Sequence, residues 1–175
     1  MISRASVFKL FSGLLLLIGL SFTAQAQSRS FPARYQGTWK GTLEIWNENT
    51  RMDSFPVVFK LLPIAANKYT YYMAYENPKM PLTKFYQLQV VDSIKGHYLL
   101  DEGQNLLLPQ QEIGGCLFGQ IENVGNYISN VLRPEGDALI FELTVAAFPG
   151  KIPDDKVRKV PVKQLQRARM LRVNE

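Results

Sequence analysis

From position 35 onward the chain alternates apolar and polar residues with a period of two, and no useful length of it carries the repeat of an amphipathic helix. Successive side chains of a strand point to opposite faces, so this pattern commits the chain to half-buried strands and excludes folds built on helices. The first segment is the cleanest. Trp39, Gly41, Leu43 and Ile45 share one face, with Lys40, Thr42 and Glu44 on the other. A polar turn over 47–51 leads to a second strand with Val57, Phe59 and Leu61 on one face. Pro56 near its start predicts a sheet-edge or strand-start position, because proline has no N–H for a ladder.

The remaining segments follow the same rule. Ala65, Ala66 and Asn67 break the second run, and Tyr69, Tyr71, Met73 and Tyr75 then alternate in the aromatic-rich composition that strands favour. Further strands are predicted over 84–90, 97–101, 105–108, 116–122, 127–132 and 138–145. Asn77-Pro78, Glu102-Gly103-Gln104, Glu112-Ile113-Gly114-Gly115, Asn123 to Asn126 and Pro134 to Asp137 supply the breaks and turn chemistry between them. A longer loop runs from Phe148 to Asp155, and a last strand covers 157–171. The latter is assured in its first half by Val157, Val160, Pro161 and Val162, whereas 164–172 holds fair helix formers. The expectation is an all-β domain: an antiparallel up-and-down barrel of about 8–10 strands, with a β-sandwich as the alternative, since a meander must protect its two edges.

The start of the chain is different. Arg4 and Lys9 precede an apolar run from Phe11 to Phe22, and small residues close it at Ala24 and Ala26 around Gln25. This is the layout of a secretory signal peptide, predicted over 1–26 with cleavage after Ala26. The run is shorter than the roughly 20 apolar residues of a bilayer span, so no stable membrane span is expected. The domain plan is a signal peptide over 1–26, a short N-terminal segment over 27–34, and a single barrel domain over 35–172. The mature chain is therefore expected in a periplasm or outside the cell. Cys116 is the only cysteine, so no intramolecular disulfide can form, and its expected state is a small buried hydrophobe.

Gly37-Thr38-Trp39, extended over 35–43, resembles the opening of lipocalin-like (calycin) barrels, and the strand number is similar to that of ten-stranded relatives such as the fatty-acid-binding proteins. The resemblance implies a barrel whose end is closed by Gly37 and Trp39, with a late arginine, Arg167 or Arg169, packed over the indole. It also implies a carrier of a small apolar ligand. The nitrobindin-type haem barrels open with a similar Gly/Trp strand, but they place an axial histidine late in the chain, where this sequence has none.

Chemistry beyond binding has little to stand on. His97 is the only histidine, and one His with one Cys does not make a zinc site. His97 shares a strand face with Asp101, and an exposed histidine near a turn is the expectation. No G-x-S-x-G nucleophile elbow occurs. The chain is expected to be no enzyme and to need no metal or other cofactor. What remains is aromatic: Phe59, Tyr69, Tyr71, Tyr86, Phe118, Tyr127 and Phe141 are the candidate cavity residues for a small hydrophobic ligand.

The formal charge of +5 is mild, although Lys151, Lys156, Arg158, Lys159, Lys163, Arg167, Arg169 and Arg172 crowd the C-terminal end. A solvated, charge-protected edge explains them, with an anionic head group of the ligand as a second use. No nucleic-acid partner is expected, and the oligomeric state is left open. The expected function is an exported lipocalin-like barrel binding a small apolar or amphipathic ligand. The alternative is a filled barrel acting as an envelope protein–protein interaction module.

Overall fold

The computed structural model describes residues 30–147 and 160–174. The predicted signal peptide over 1–26, the loop from Phe148 to Asp155 and positions 157–159 of the predicted last strand lie outside the described residues. A helical turn, α1 (Phe31–Arg34), precedes eleven strands. These are β1 (Gly37–Asn47), β2 (Thr50–Leu61), β3 (Pro63–Ala65), β4 (Lys68–Tyr75), β5 (Leu82–Asp92), β6 (His97–Asp101), β7 (Leu107–Ile113), β8 (Cys116–Asn123), β9 (Asn126–Glu135), β10 (Ala138–Ala147) and β11 (Val162–Val173).

Each long strand pairs antiparallel with the next, and β1 pairs with β11. Pairing of β2 with β4 over Val57–Lys60 closes the ring, so ten strands form a barrel and the short β3 lies beside β4. Closure removes the sheet edges that an open meander would expose, and it decides for the barrel over the sandwich. Pro56 sits immediately before the residues of β2 that pair with β4, at the edge-like position expected for a proline.

Two local expectations, the bounds of one strand and the burial of Cys116, are corrected, and the open choice between strand and helix over 164–172 is settled. The predicted 105–108 strand runs instead as β7 from Leu107 to Ile113, so the polar run of Gln110, Gln111 and Glu112 is strand. The 164–172 segment is strand throughout, because β11 holds a partner on each side in β1 and β10, and tertiary pairing overrides helix propensity. Cys116 is half-buried at the start of β8 rather than fully inside. Among the described residues no helix is long and apolar enough to cross a membrane.

The inward phase of each strand builds the core. Trp39, Leu43, Phe59, Leu61, Tyr71, Met73, Leu88, Leu117, Leu132, Leu139, Phe141 and Met170 are buried in one cluster. Phe31 of α1 joins them fully buried, so the short helical turn plugs the end of the barrel at which β1 begins. Its backbone N–H donates to the Tyr98 hydroxyl at 3.1 Å. That hydroxyl donates in turn to Glu112 Oε2 at 2.7 Å, and Arg34 pairs with the same carboxylate. A buried N–H and a half-buried carboxylate are thereby both satisfied, as burial requires.

Candidate binding site

The end of the barrel where β1 begins is sealed by a small constellation around Trp39. The indole is 5% exposed, and its Nε1 donates to the Tyr35 carbonyl at 3.0 Å. A guanidinium does lie over the ring, 5.0 Å from its centroid, and it belongs to Arg172. The expectation of Arg167 or Arg169 is corrected by strand phase. Trp39 pairs directly with Arg172, and both point inward. Arg167 and Arg169 stand five and three residues away on the opposite phase, pointing out, where they pair with Glu142 and Asp137.

Gly37 makes room for this stack. Its φ of +144° is one that side chains rarely adopt, and a Cβ there would stand 3.1 Å from Arg172 Nε. Arg172 also donates to the Gln36 carbonyl, which ties the segment entering β1 to the end of β11.

The opposite end of the barrel is open. A cavity of about 620 Å³ enters between the β1–β2, β4–β5, β6–β7 and β8–β9 turns, within the roughly 300–1,000 Å³ usual for small-molecule sites. Its walls are mainly aliphatic, with Leu43, Ile45, Leu100, Leu108, Ile128 and Leu143 prominent, and Phe55 and Tyr75 add aromatic surface. Polar groups fall in two places. Asp53, Asn77, Lys79, Lys84 and Glu102 lie toward the mouth, while Gln110 and Asn130 reach the cavity from β7 and β9.

A tyrosine–carboxylate cluster marks one wall. Glu102 hydrogen-bonds Tyr86 and acts on Tyr75. Burial first, and the carboxylate second, push both phenols up to about 12. Tyr71 is driven higher still, chiefly by its own burial. All three phenols therefore remain neutral hydrogen-bonding groups across the physiological range.

None of the seven aromatic residues predicted to line a cavity is in the lining of this one, although Tyr86 borders a separate open groove with Tyr72 and Phe85. Phe59, Tyr69, Tyr71, Tyr86 and Phe141 point inward but belong to the core cluster or pack against it, beside the cavity rather than around it. Phe59 and Tyr71 meet edge-on at 5.0 Å between centroids. Phe118 and Tyr127 point outward. Leu117, Gly119 and Ile121 take the inward phase of β8, leaving Phe118 41% exposed, and Ile128, Asn130 and Leu132 take that of β9. The large aromatics fill space rather than surround it, which is what their volume does in a barrel of this width. His97 is exposed on the outer face of β6, as expected for a turn-proximal histidine.

The residues that do line the cavity were on the correct phase of the alternation, as Ile45 and Tyr75 show. The missed signal was polar: Gln110, Asn130 and Gln166 are amides at inward positions of strands, where a filled core would carry aliphatic groups.

No protein-family model and no curated protein matches the sequence. Among solved structures, the chain is similar to the S-type phycobiliprotein lyase CPES from Guillardia theta, with a TM-score of 0.57 and 10% sequence identity. The match covers 85% of this chain and 95% of that one. At this identity the likeness is one of fold, and it extends over nearly the whole barrel.

Proposed function

We propose that the protein is an exported lipocalin-like barrel that binds a small apolar or amphipathic ligand in its open half. One observation carries this reading: the barrel is sealed and packed at one end, yet holds an apolar-walled cavity of about 620 Å³ at the other. A water-filled apolar cavity is costly, and an apolar guest relieves that cost. The fold-level likeness to a phycobiliprotein lyase supports a barrel of this architecture. Export rests on the N-terminal signal pattern of residues 1–26. Binding rather than turnover is the proposed activity, because the cavity wall is aliphatic and its one histidine-bearing strand turns His97 away from it.

The rival reading is an interaction module with a filled interior. It draws on the exposed Phe85, Met80 and Ile94 side chains, but it requires a packed core where the cavity lies.

Native mass spectrometry of residues 27–175, purified from the natural host without denaturation, tests the proposal. An added mass that leaves on organic extraction supports it. A bare protein mass, with no apolar fluorescent probe bound in a follow-up titration, overturns it in favour of the interaction module. An N-terminus at Gln27 on the recovered protein supports export, and an intact Met1 overturns it.

A further inference from the structure

Most inward positions of the barrel are apolar, and among the others a glycine and two amides form a row that crosses three neighbouring strands. Gln110 of β7 pairs with Gly119 of β8, and Gly119 pairs with Asn130 of β9. Two amides thus flank a glycine in a single interior row. The absence of a side chain at Gly119 is what admits them. A Cβ there would overlap Asn130 Oδ1 and both polar atoms of the Gln110 amide, so these atoms occupy the volume that any other residue would fill.

Gln110 is only 4% exposed, and Asn130 Nδ2 donates to Gln110 Oε1 at 3.4 Å. An amide has two donors and an acceptor with two lone pairs, so one shared bond leaves each side chain with unspent capacity. Whichever way the pair is turned, one NH2 group and one carbonyl oxygen remain. Both residues line the cavity. Burying such groups against aliphatic walls is unfavourable unless something pairs with them.

The charged groups of the cavity lie apart from this row. Lys84 sits at the start of β5, Lys79 comes from the β4–β5 loop, Asp53 stands near the start of β2, and Glu102 begins the β6–β7 turn. Nothing cationic from the described lining stands beside the amides to neutralise a buried anion.

We propose that Gln110 and Asn130 form a polar subsite that receives an uncharged group able both to donate and to accept hydrogen bonds, a carboxamide or a hydroxyl, on an otherwise apolar ligand. This rests on the binding reading above and specifies its ligand class. An ionised carboxylate is excluded from the subsite: it has no proton to give the free carbonyl, and it would be buried without a cation. Gly119 is a positioning residue, setting the amides against the wall so that the cavity stays open above them.

The test is competition. Decanamide, decanol and decanoate, which share one chain length, are titrated at pH 7.5 against an apolar fluorescent probe bound to residues 27–175. Decanamide and decanol are expected to displace the probe about tenfold more tightly than decanoate, the scale of one charge-free hydrogen-bonded site. Gln110→Met and Asn130→Leu should each erase most of that preference while the probe itself still binds. Gly119→Ala should weaken it by displacing the pair. Circular dichroism melts accompany each variant, and the wild-type preference decides the matter even where a variant fails to fold. Equal affinities for the three competitors, or a preference that survives in both folded amide variants, overturn the subsite and leave the cavity reading standing. Failure of the wild-type chain to bind the probe or any competitor overturns both.

Discussion

The two ends of the barrel share their strands and their alternation, yet one is solid and the other hollow. Along β1 the inward residue is Trp39 near the sealed end and Ile45 near the mouth. Along β9 it is Leu132 and then Asn130, along β10 Phe141 and then Leu143, and along β11 Met170 and then Gln166. Each step toward the mouth exchanges a large or wholly apolar side chain for a smaller or more polar one. The sealed end also receives Phe31 from outside the sheet, and Arg172 lies over its indole. Filling is thus set by side-chain volume and by the segments that cap the ring. The hydrophobic pattern alone does not set it, because both halves satisfy the pattern equally.

Truncation should break this symmetry of pattern most visibly. Trp39→Ala is expected to cost about 3–5 kcal/mol in urea denaturation, the scale for emptying a packed aromatic site. Leu143→Ala, whose side chain already borders open space, should cost about 1 kcal/mol. Equal losses at the two positions would remove the distinction between the halves.

The plug at the sealed end gives the next effect. Tyr98→Phe leaves the Phe31 N–H without its acceptor and Glu112 without its phenol donor. The expected loss is about 1–3 kcal/mol, with faster hydrogen exchange at Phe31; unchanged exchange would mean that the turn is held by packing alone. Filling the hollow end instead of emptying the solid one sharpens the contrast. Leu143→Trp should abolish apolar-probe binding at fixed protein concentration while changing stability by less than about 1.5 kcal/mol. Retention of the probe at wild-type affinity would place binding elsewhere.

Arg172→Lys keeps the charge over Trp39 but loses the flat guanidinium, and about 0.5–1 kcal/mol should go with it. The smallest effect is alkaline. Tyr75 and Tyr86 titrate at about 12 in the folded chain against 10.0 unfolded, so above pH 10 the folded state binds more protons than the unfolded one. Their contribution is complete below pH 10 and is lost as the pH rises toward 12. A phenolate absorbance titration should show these tyrosines ionising late, and ionisation of every tyrosine near pH 10 in the folded chain would contradict the burial argument.

Much of the barrel was legible from residue order. Glycine- and asparagine-rich turns placed most strand ends, and the G-x-W segment marked where the ring is sealed. Three things were not legible. The guanidinium over Trp39 depends on the register of β1 against β11, which places Arg172 opposite the indole, and no count along a single strand contains that register. The phase of β8 is hidden because Phe118 is larger than the inward Gly119, and bulk by itself points the larger residue inside. The cavity wall is illegible for a related reason: aromatics suggest a lining, but their volume makes them packing of the core.

The amino-acid sequence by itself determined the period of the side chains, hence strands, turns and an all-β domain, because those are properties of neighbouring residues and of backbone geometry. Closure of the ring rests on the long-range pairing of β2 with β4. Only the tertiary structure decided which half is hollow and which polar groups face the void. Those outcomes depend on how residues far apart in the chain share one enclosed volume, as Gln110, Gly119 and Asn130 do across three strands.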